Sequence, residues 1–468
     1  MHYKALAGRA TLAGFVVLAA SMSWPITAGA KVASRWPSGV MAGSKSAAAA
    51  SGPTVGPVSK VSQGCAGQNA EVETAIDPAN GNLYEEWIGC GGLGFARSTN
   101  GGQTFSRAVR LPGSAGGWDP AITVGPHGKV YAAFMRSRGT KTYPVVDISS
   151  DGGKSFPAVR ALVPPRQHNW GDRDFIAVSP SGTIYVTWDY GPKNDIKFVC
   201  SNTGSCSFTA GDVNAVIQRS TNGGKSWSKI IPISPGFPAS GADSAPVLVE
   251  PDGRIDVLYQ GYKVVNHKTL KLGVAHSFFT SSTDRGRTWW RHPVQLGPSA
   301  LSMNTSEWWI DGSLGIDSAG NLYATWDTQR GEFDAGWLAY STTHGRTWSR
   351  LFPVAQAGNH AAHIVQVVGG GPGVAYVGWL TDAPRCGRVP CYAQFLRAFS
   401  IGQGWLTRKI LVSPDHGNWR VWPGDTIGLS LYPGDTPGTH RVAVSWGSGI
   451  GGRGANSQIW AAVVGGLP

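Results

Sequence analysis

The chain has 468 residues, of which 41% are hydrophobic and 15% charged, with 20 Trp, 65 Gly and 30 Pro. That apolar and aromatic content excludes a disordered chain, and no stretch beyond the N-terminus approaches the ~20 apolar residues of a spanning helix. The net charge of +12 favours anionic partners, yet the basic residues are dispersed and accompany no nucleic-acid motif, so nucleic acid is not expected.

Residues 1–30 have the layout of an export signal. His2, Lys4 and Arg9 make a positive start, Ala10 to Met22 a short apolar run, and Ala28-Gly29-Ala30 a small-residue cleavage site. The expectation is a secreted, extracellular monomer without stable membrane insertion, the alternative being an uncleaved anchor. Loss of Lys4 and Arg9 with the signal takes the charge from +12 to +10. Residues 31–57, rich in Ala, Ser, Gly and Val without periodicity, read as a flexible leader. Six cysteines then fall into three local pairs, Cys65 with Cys90, Cys200 with Cys206 and Cys386 with Cys391, and in an exported chain they predict three disulfides. Their spacing does not suit zinc.

From residue 58 to 468 two patterns alternate, which points to one repeat domain rather than several domains. The first is a turn. Ser149-Ser150-Asp151-Gly152-Gly153-Lys154-Ser155-Phe156 and Ser282-Thr283-Asp284-Arg285-Gly286-Arg287-Thr288-Trp289 are its fullest copies, and three more begin at Ser98, Ser220 and Ser341. Asp or Asn bonds the backbone it has just turned, Gly accepts a positive φ, and the closing aromatic packs back on the hairpin. The second pattern is a strand pair around a Gly turn, as in residues 174–188. Its terminal aromatic recurs as Trp87, Phe134, Trp188, Tyr259, Trp326, Trp379 and Trp446. Seven hairpins, each followed by a third strand, a turn and a fourth, predict an all-β, seven-bladed β-propeller; six blades with a capping hairpin is the alternative. The last repeat lacks an outer strand, which Val55 to Ser62 could supply to clasp the ring shut.

Five turns in one frame make the chain resemble the Asp-box, or BNR-repeat, propellers of the sialidase-like superfamily. The resemblance implies that the Asp-box residues Asp151 and Asp284 are architectural and that ligands gather where the innermost strands begin. The residues at that face are Glu71 and Glu73, Asp119, Asp172 with Asp174, Asp243, Asp311 and Asp425, with His360 and His363 in the sixth repeat. Candidate catalytic carboxyls are Asp119, Asp172, Asp174, Asp243 and Asp311. Trp118, Trp170, Arg173, Glu307, Trp308, Trp309, Arg420, Trp422 and Asp425 are candidate substrate contacts. Trp stacks on the apolar face of a pyranose, while acids take hydroxyls or protons.

The expected partner is therefore an extracellular glycan, acidic in view of the charge. Two readings follow: a sialidase-like glycoside hydrolase, or a polysaccharide lyase on the same scaffold, and a non-catalytic propeller that binds glycan or protein. The resemblance does not extend to sialic-acid hydrolysis, because the sialidase Arg-Ile-Pro segment is absent and only Arg173 and Arg420 approach the central face. An Asp at a strand start also caps its own loop, and Trp also fills space between blades. No cofactor is expected. Converging acids are the kind of group that takes Ca²⁺, but no dedicated calcium loop is visible.

Overall fold

A computed structural model describes residues 52–162, 169–192, 196–200, 206–210, 213–234, 240–266, 268, 271–300, 312–330, 333–355, 362–383, 391–413, 424–449 and 456–468. The calls on Glu307, Trp308, Trp309, Asp311, His360, Cys386, Arg420 and Trp422 lie outside these residues, as do those on the side chains of Trp170, Cys200, Cys206, Asp243 and Cys391.

Each hairpin forms where apolar residues alternate on both sides of a Gly turn. In blade 3, Asn169–Val178 pairs antiparallel with Ile184–Pro192. The turn between them closes on Ser179, whose hydroxyl accepts the Thr183 N–H at 3.0 Å. Asn214–Ser220 and Ile231–Pro232 complete the sheet. Blade 1 repeats the plan with Ala70–Ile76, Leu83–Gly89, Gly92–Ser98 and Val109–Arg110, and blade 2 with Trp118–Gly125, Lys129–Arg138, Lys141–Ser149 and Ala158–Ala161. There are seven such blades, and their innermost strands touch in a closed cycle in which the first also meets the seventh. Six blades with a cap is thereby excluded.

The seven hairpin aromatics, from Trp87 to Trp446, are at most 4% exposed. They fill the space between adjacent sheets, so no blade could bury its faces alone.

The repeated turns are tied by their own side chains. Asp151 Oδ1 accepts the Lys154 and Ser155 N–H groups at 3.0 Å, its Oδ2 accepts the Ser155 hydroxyl at 2.6 Å, and Ser149 donates its hydroxyl to Oδ1 at 2.7 Å. Asp284 repeats this set with Arg287, Thr288 and Ser282. The closing aromatics do more than fold back on the hairpin. Phe156 of blade 2 meets Phe95 of blade 1 edge to face at 4.8 Å, and Trp348 of blade 5 meets Phe279 of blade 4 at 5.1 Å. Gly153 permits the first approach: its φ is 75°, and a Cβ there would lie 2.8 Å from the Phe95 ring. The turns thus join neighbouring blades.

Closure follows the expected route. Blade 7 consists of Gly428–Leu431, His440–Ser448 and Gln458–Leu467, and its outer edge is covered by Thr54–Val55 and Ser59–Lys60, with Val55 opposite Val464 and Lys60 opposite Trp460. The Cys65–Cys90 disulfide ties this incoming segment to blade 1. In blade 3 a two-stranded hairpin, Ile196–Cys200 with Cys206–Ala210, places Cys200 and Cys206 opposite each other.

Candidate functional site

At the start of the innermost strands one residue is turned into the left-handed region. It is Glu71 in blade 1 (φ 48°), Asp119 in blade 2 (54°), Arg173 in blade 3 (54°), Ser244 in blade 4 (51°), Ile364 in blade 6 (54°) and Gly424 in blade 7 (101°). Register slips accompany it at Ala70/Val72, Trp118/Pro120, Asp172/Phe175 and His363/Gln366. Such a bulge re-aims the side chains beside it and is costly for a β-branched residue such as Ile364, roughly 1–3 kcal/mol. The neighbouring blades sustain it. Gly424 fits the same role by lacking a side chain, since a Cβ there would overlap the Glu71 backbone.

The bulges bring four acids from four blades around Arg173. Its backbone N–H donates to Asp119 Oδ2 at 2.7 Å, and its Nη2 donates to Asp425 Oδ2 at 2.7 Å. Arg173 and Asp425 form an ion pair with side chains only 5% and 4% exposed. Glu71 lies close enough to Asp425, and Asp119 close enough to Asp172, for the second carboxyl to raise the pKa of the first. Asp172 in turn accepts the Trp118 indole N–H at 2.6 Å. The result is two carboxyl pairs, Glu71 with Asp425 and Asp119 with Asp172, set apart by the length of one arginine side chain.

A carboxyl beside another carboxylate is harder to ionise. Burial, then the Asp425 and Asp119 charges, pushes the Glu71 carboxyl well above the usual range, with Arg173 opposing. Asp119 is pushed up by burial and then by Asp172, again against Arg173. Asp174 is raised by burial and by Asp119, and Glu86 behind it by burial, Asp174 and Asp147. Among the described residues no group of three or more His, Cys, Asp or Glu side chains could hold a metal ion.

The structure therefore groups Asp119, Asp172, Arg173, Asp425 and Trp118 from the sequence candidates. Asp174 sits beside them at 2% exposure, on the far side of the bulge from Asp172. Asp243 precedes the left-handed Ser244 as Asp172 precedes Arg173, so its backbone occupies the matching place in blade 4. His363 is buried at the start of the blade 6 inner strand. The Arg173 fork meets the chain's own Asp425 rather than facing out. Glu86 and Asp147 were not expected here. The signal for Glu86 was the adjacent Glu85-Glu86 inside an otherwise apolar strand, where alternation should expose one of two neighbours, yet both are 0% exposed.

No protein-family model matches the chain, and no curated protein matches it by sequence. Solved structures do match it in fold. A protein of unknown function from Dyadobacter fermentans gives a TM-score of 0.50 at 14% identity, over 88% of this chain and 99% of its own. An ulvan lyase from a new polysaccharide lyase family, bound to GlcA(1-4)Rha3S units, gives 0.50 at 13% identity over 86% and 96%. A Hadza microbial sialidase gives 0.45 at 13% identity over 82% and 73%. At such identities the likeness is one of fold alone. Fold and site together define a seven-bladed propeller with a carboxyl cluster at its hub.

Proposed function

We propose that this is an exported, monomeric glycan-processing propeller whose central face cleaves an extracellular polysaccharide, by glycoside hydrolysis in the first instance. The observation that supports this reading is the pair of carboxyl pairs held on either side of Arg173. Hydrolysis needs a proton donor and a separate carboxylate, about 5–9.5 Å apart. Asp119 and Asp172 stand side by side, so they act as one unit and cannot be both groups. Asp119, its proton retained by burial and by the Asp172 charge, is the donor to the glycosidic oxygen. Asp172 is oriented by the Trp118 indole, and the pair regains the proton that Asp119 passes on from the water that attacks the sugar. Across Arg173, Asp425 is the separate carboxylate, at the remove that the Arg173 side chain sets.

Sialic-acid hydrolysis is not part of this proposal, because the guanidinium of Arg173 is already committed to Asp425. A panel of fluorogenic glycosides and acidic polysaccharides tests the reading. Wild type should turn over at least one, and Asp119→Asn and Asp172→Asn should each lower kcat by about 10²–10⁴. Equal turnover in both variants would refute the assignment. Absence of turnover on every substrate favours a second reading, a non-catalytic glycan-binding propeller, which the internal commitment of Arg173 and of the Trp118 N–H supports.

A further inference from the structure

Blade 4 differs from its neighbours in the length of its middle strands. Ile255–Asn266 and Lys271–Ser282 have 12 residues each, against 7 to 10 in the other blades. The extra length extends toward the end of the ring where inner strands begin, since Lys263 pairs with Ser240 and Gln260 with Asp243. Register slips at Tyr262/Val264 and Val264/Asn266 turn side chains outward there. Along this flank lies a cavity of about 650 Å³, bounded on one side by Ser234 of blade 3.

Its floor is aromatic. Tyr259 and Phe278 stack at 5.6 Å and 20°, with Tyr262 beside them. Gly261 makes the floor flat, because a Cβ there would come within 2.8 Å of the Phe278 ring. His276 stands edge-on to Phe278 at 6.3 Å and bonds Gln295 at 3.3 Å. Val265 and Val274, 61% and 41% exposed, form the outer wall. The rim carries exposed Lys263, Arg291 and His292, and among the described lining residues there is no Asp or Glu.

We propose that this cavity is an outer binding site for a saccharide bearing carboxylate or sulfate groups. An aromatic floor accepts the C–H face of a pyranose, Gln295 and His276 suit hydroxyls, and a rim with Lys263 and Arg291 and no acid among its described lining residues suits an acid group. An apolar ligand would leave that rim unanswered, and a cationic one would be repelled. A single-stranded nucleic acid would share the stacking and the charge, but it needs a basic track along its backbone, and the rim is local. The proposal deepens the glycan reading by naming an acidic saccharide, yet its test requires no turnover.

Calorimetric titration of the full chain uses four probes: oligogalacturonate, a dextran sulfate oligomer, a neutral cello-oligosaccharide and oligothymidylate. At least one of the two acidic saccharides should bind. Lys263→Glu with Arg291→Glu should weaken that binding by about tenfold or more, and Val274→Trp should weaken it by filling the cavity. Lys154→Glu with Lys225→Glu, on the turns at the other end of the blades, should leave it unchanged. Failure of both acidic saccharides to bind, equal binding of the neutral oligomer, tighter binding of oligothymidylate, or an equal loss in the control pair overturns the proposal. Loss of hydrolysis in Asp119→Asn with binding intact bears only on the hub.

Discussion

Asp284 in a peripheral turn and Asp119 at the hub are the same side chain in two settings, and their acidities move in opposite directions. Partial burial would raise Asp284, but bonds from the Thr288 hydroxyl and N–H and from Ser282 and Arg287 outweigh it and bring its pKa to about 2. Asp151 is likewise held low, first by the Ser155 hydroxyl and then by Ser149. Asp119 has one backbone donor, is partly withdrawn from water and lies beside Asp172, so it goes up. A carboxyl surrounded by donors is a fastener, whereas one packed against other carboxyls becomes a proton reservoir. In the function proposed above the turn acids are architecture and the hub acids carry the chemistry.

The largest effect expected is at the cation between the hub pairs. Arg173→Ala leaves Asp425 buried without its partner and should cost about 3–5 kcal/mol in urea denaturation at neutral pH. A loss below about 1 kcal/mol would break the contrast, because the hub acids would then stand without their cation.

Interior acids sharpen the contrast through pH. Burial pushes Glu85 from 4.5 to about 8, against hydrogen bonds from Thr74 and Ser445 at the seam of blades 1 and 7. Burial likewise pushes Asp147 from 3.8 to about 8, with Arg136 opposing. The folded chain keeps protons that the unfolded chain releases in that interval. Their contribution to stability is complete below the unfolded values and is lost as pH rises through about 8. Melting temperature should therefore fall between about pH 5 and about pH 8.5, and Glu85→Gln should flatten the decline. A profile unchanged in that variant would remove Glu85 from the account.

A smaller effect is expected at Asp147, which is 0% exposed and whose oxygens meet no hydrogen-bond donor among the described residues. Asp147→Asn should stabilise the protein by about 1–3 kcal/mol near pH 9 and have little effect near pH 5. The smallest belongs to the periphery. Asp284→Ala removes one exposed turn and should lower Tm by roughly 1–2 °C with ligand binding intact. A change in glycan binding there would contradict the architectural role of the turns.

Much of the fold was legible in the chain before any coordinates. The turn frame at Ser149 and Ser282, the seven hairpin aromatics and the unpaired last repeat each have a local cause, and together they point to seven blades and their closure, with the six-bladed alternative left for the structure to exclude. The strand starts were also legible as a place rich in acids. Their grouping was not, because Asp172 precedes a left-handed residue, Asp119 is one, and Asp174 and Asp425 follow one. Side chains alternate with period two along a strand, so an offset of one residue sends an acid to the other face. The bulges that set those offsets occur at Glu, Asp, Arg, Ser and Ile, residues with no shared preference for positive φ.

The repeat alone determined that this chain closes into a ring, since sheets with two apolar faces and one missing edge strand have no other way to bury them. Tertiary structure alone decided which acids stand together. Arg173 reaches Asp119 over 54 positions and Asp425 over 252, and acidity depends on such distances through space rather than on neighbours in the chain.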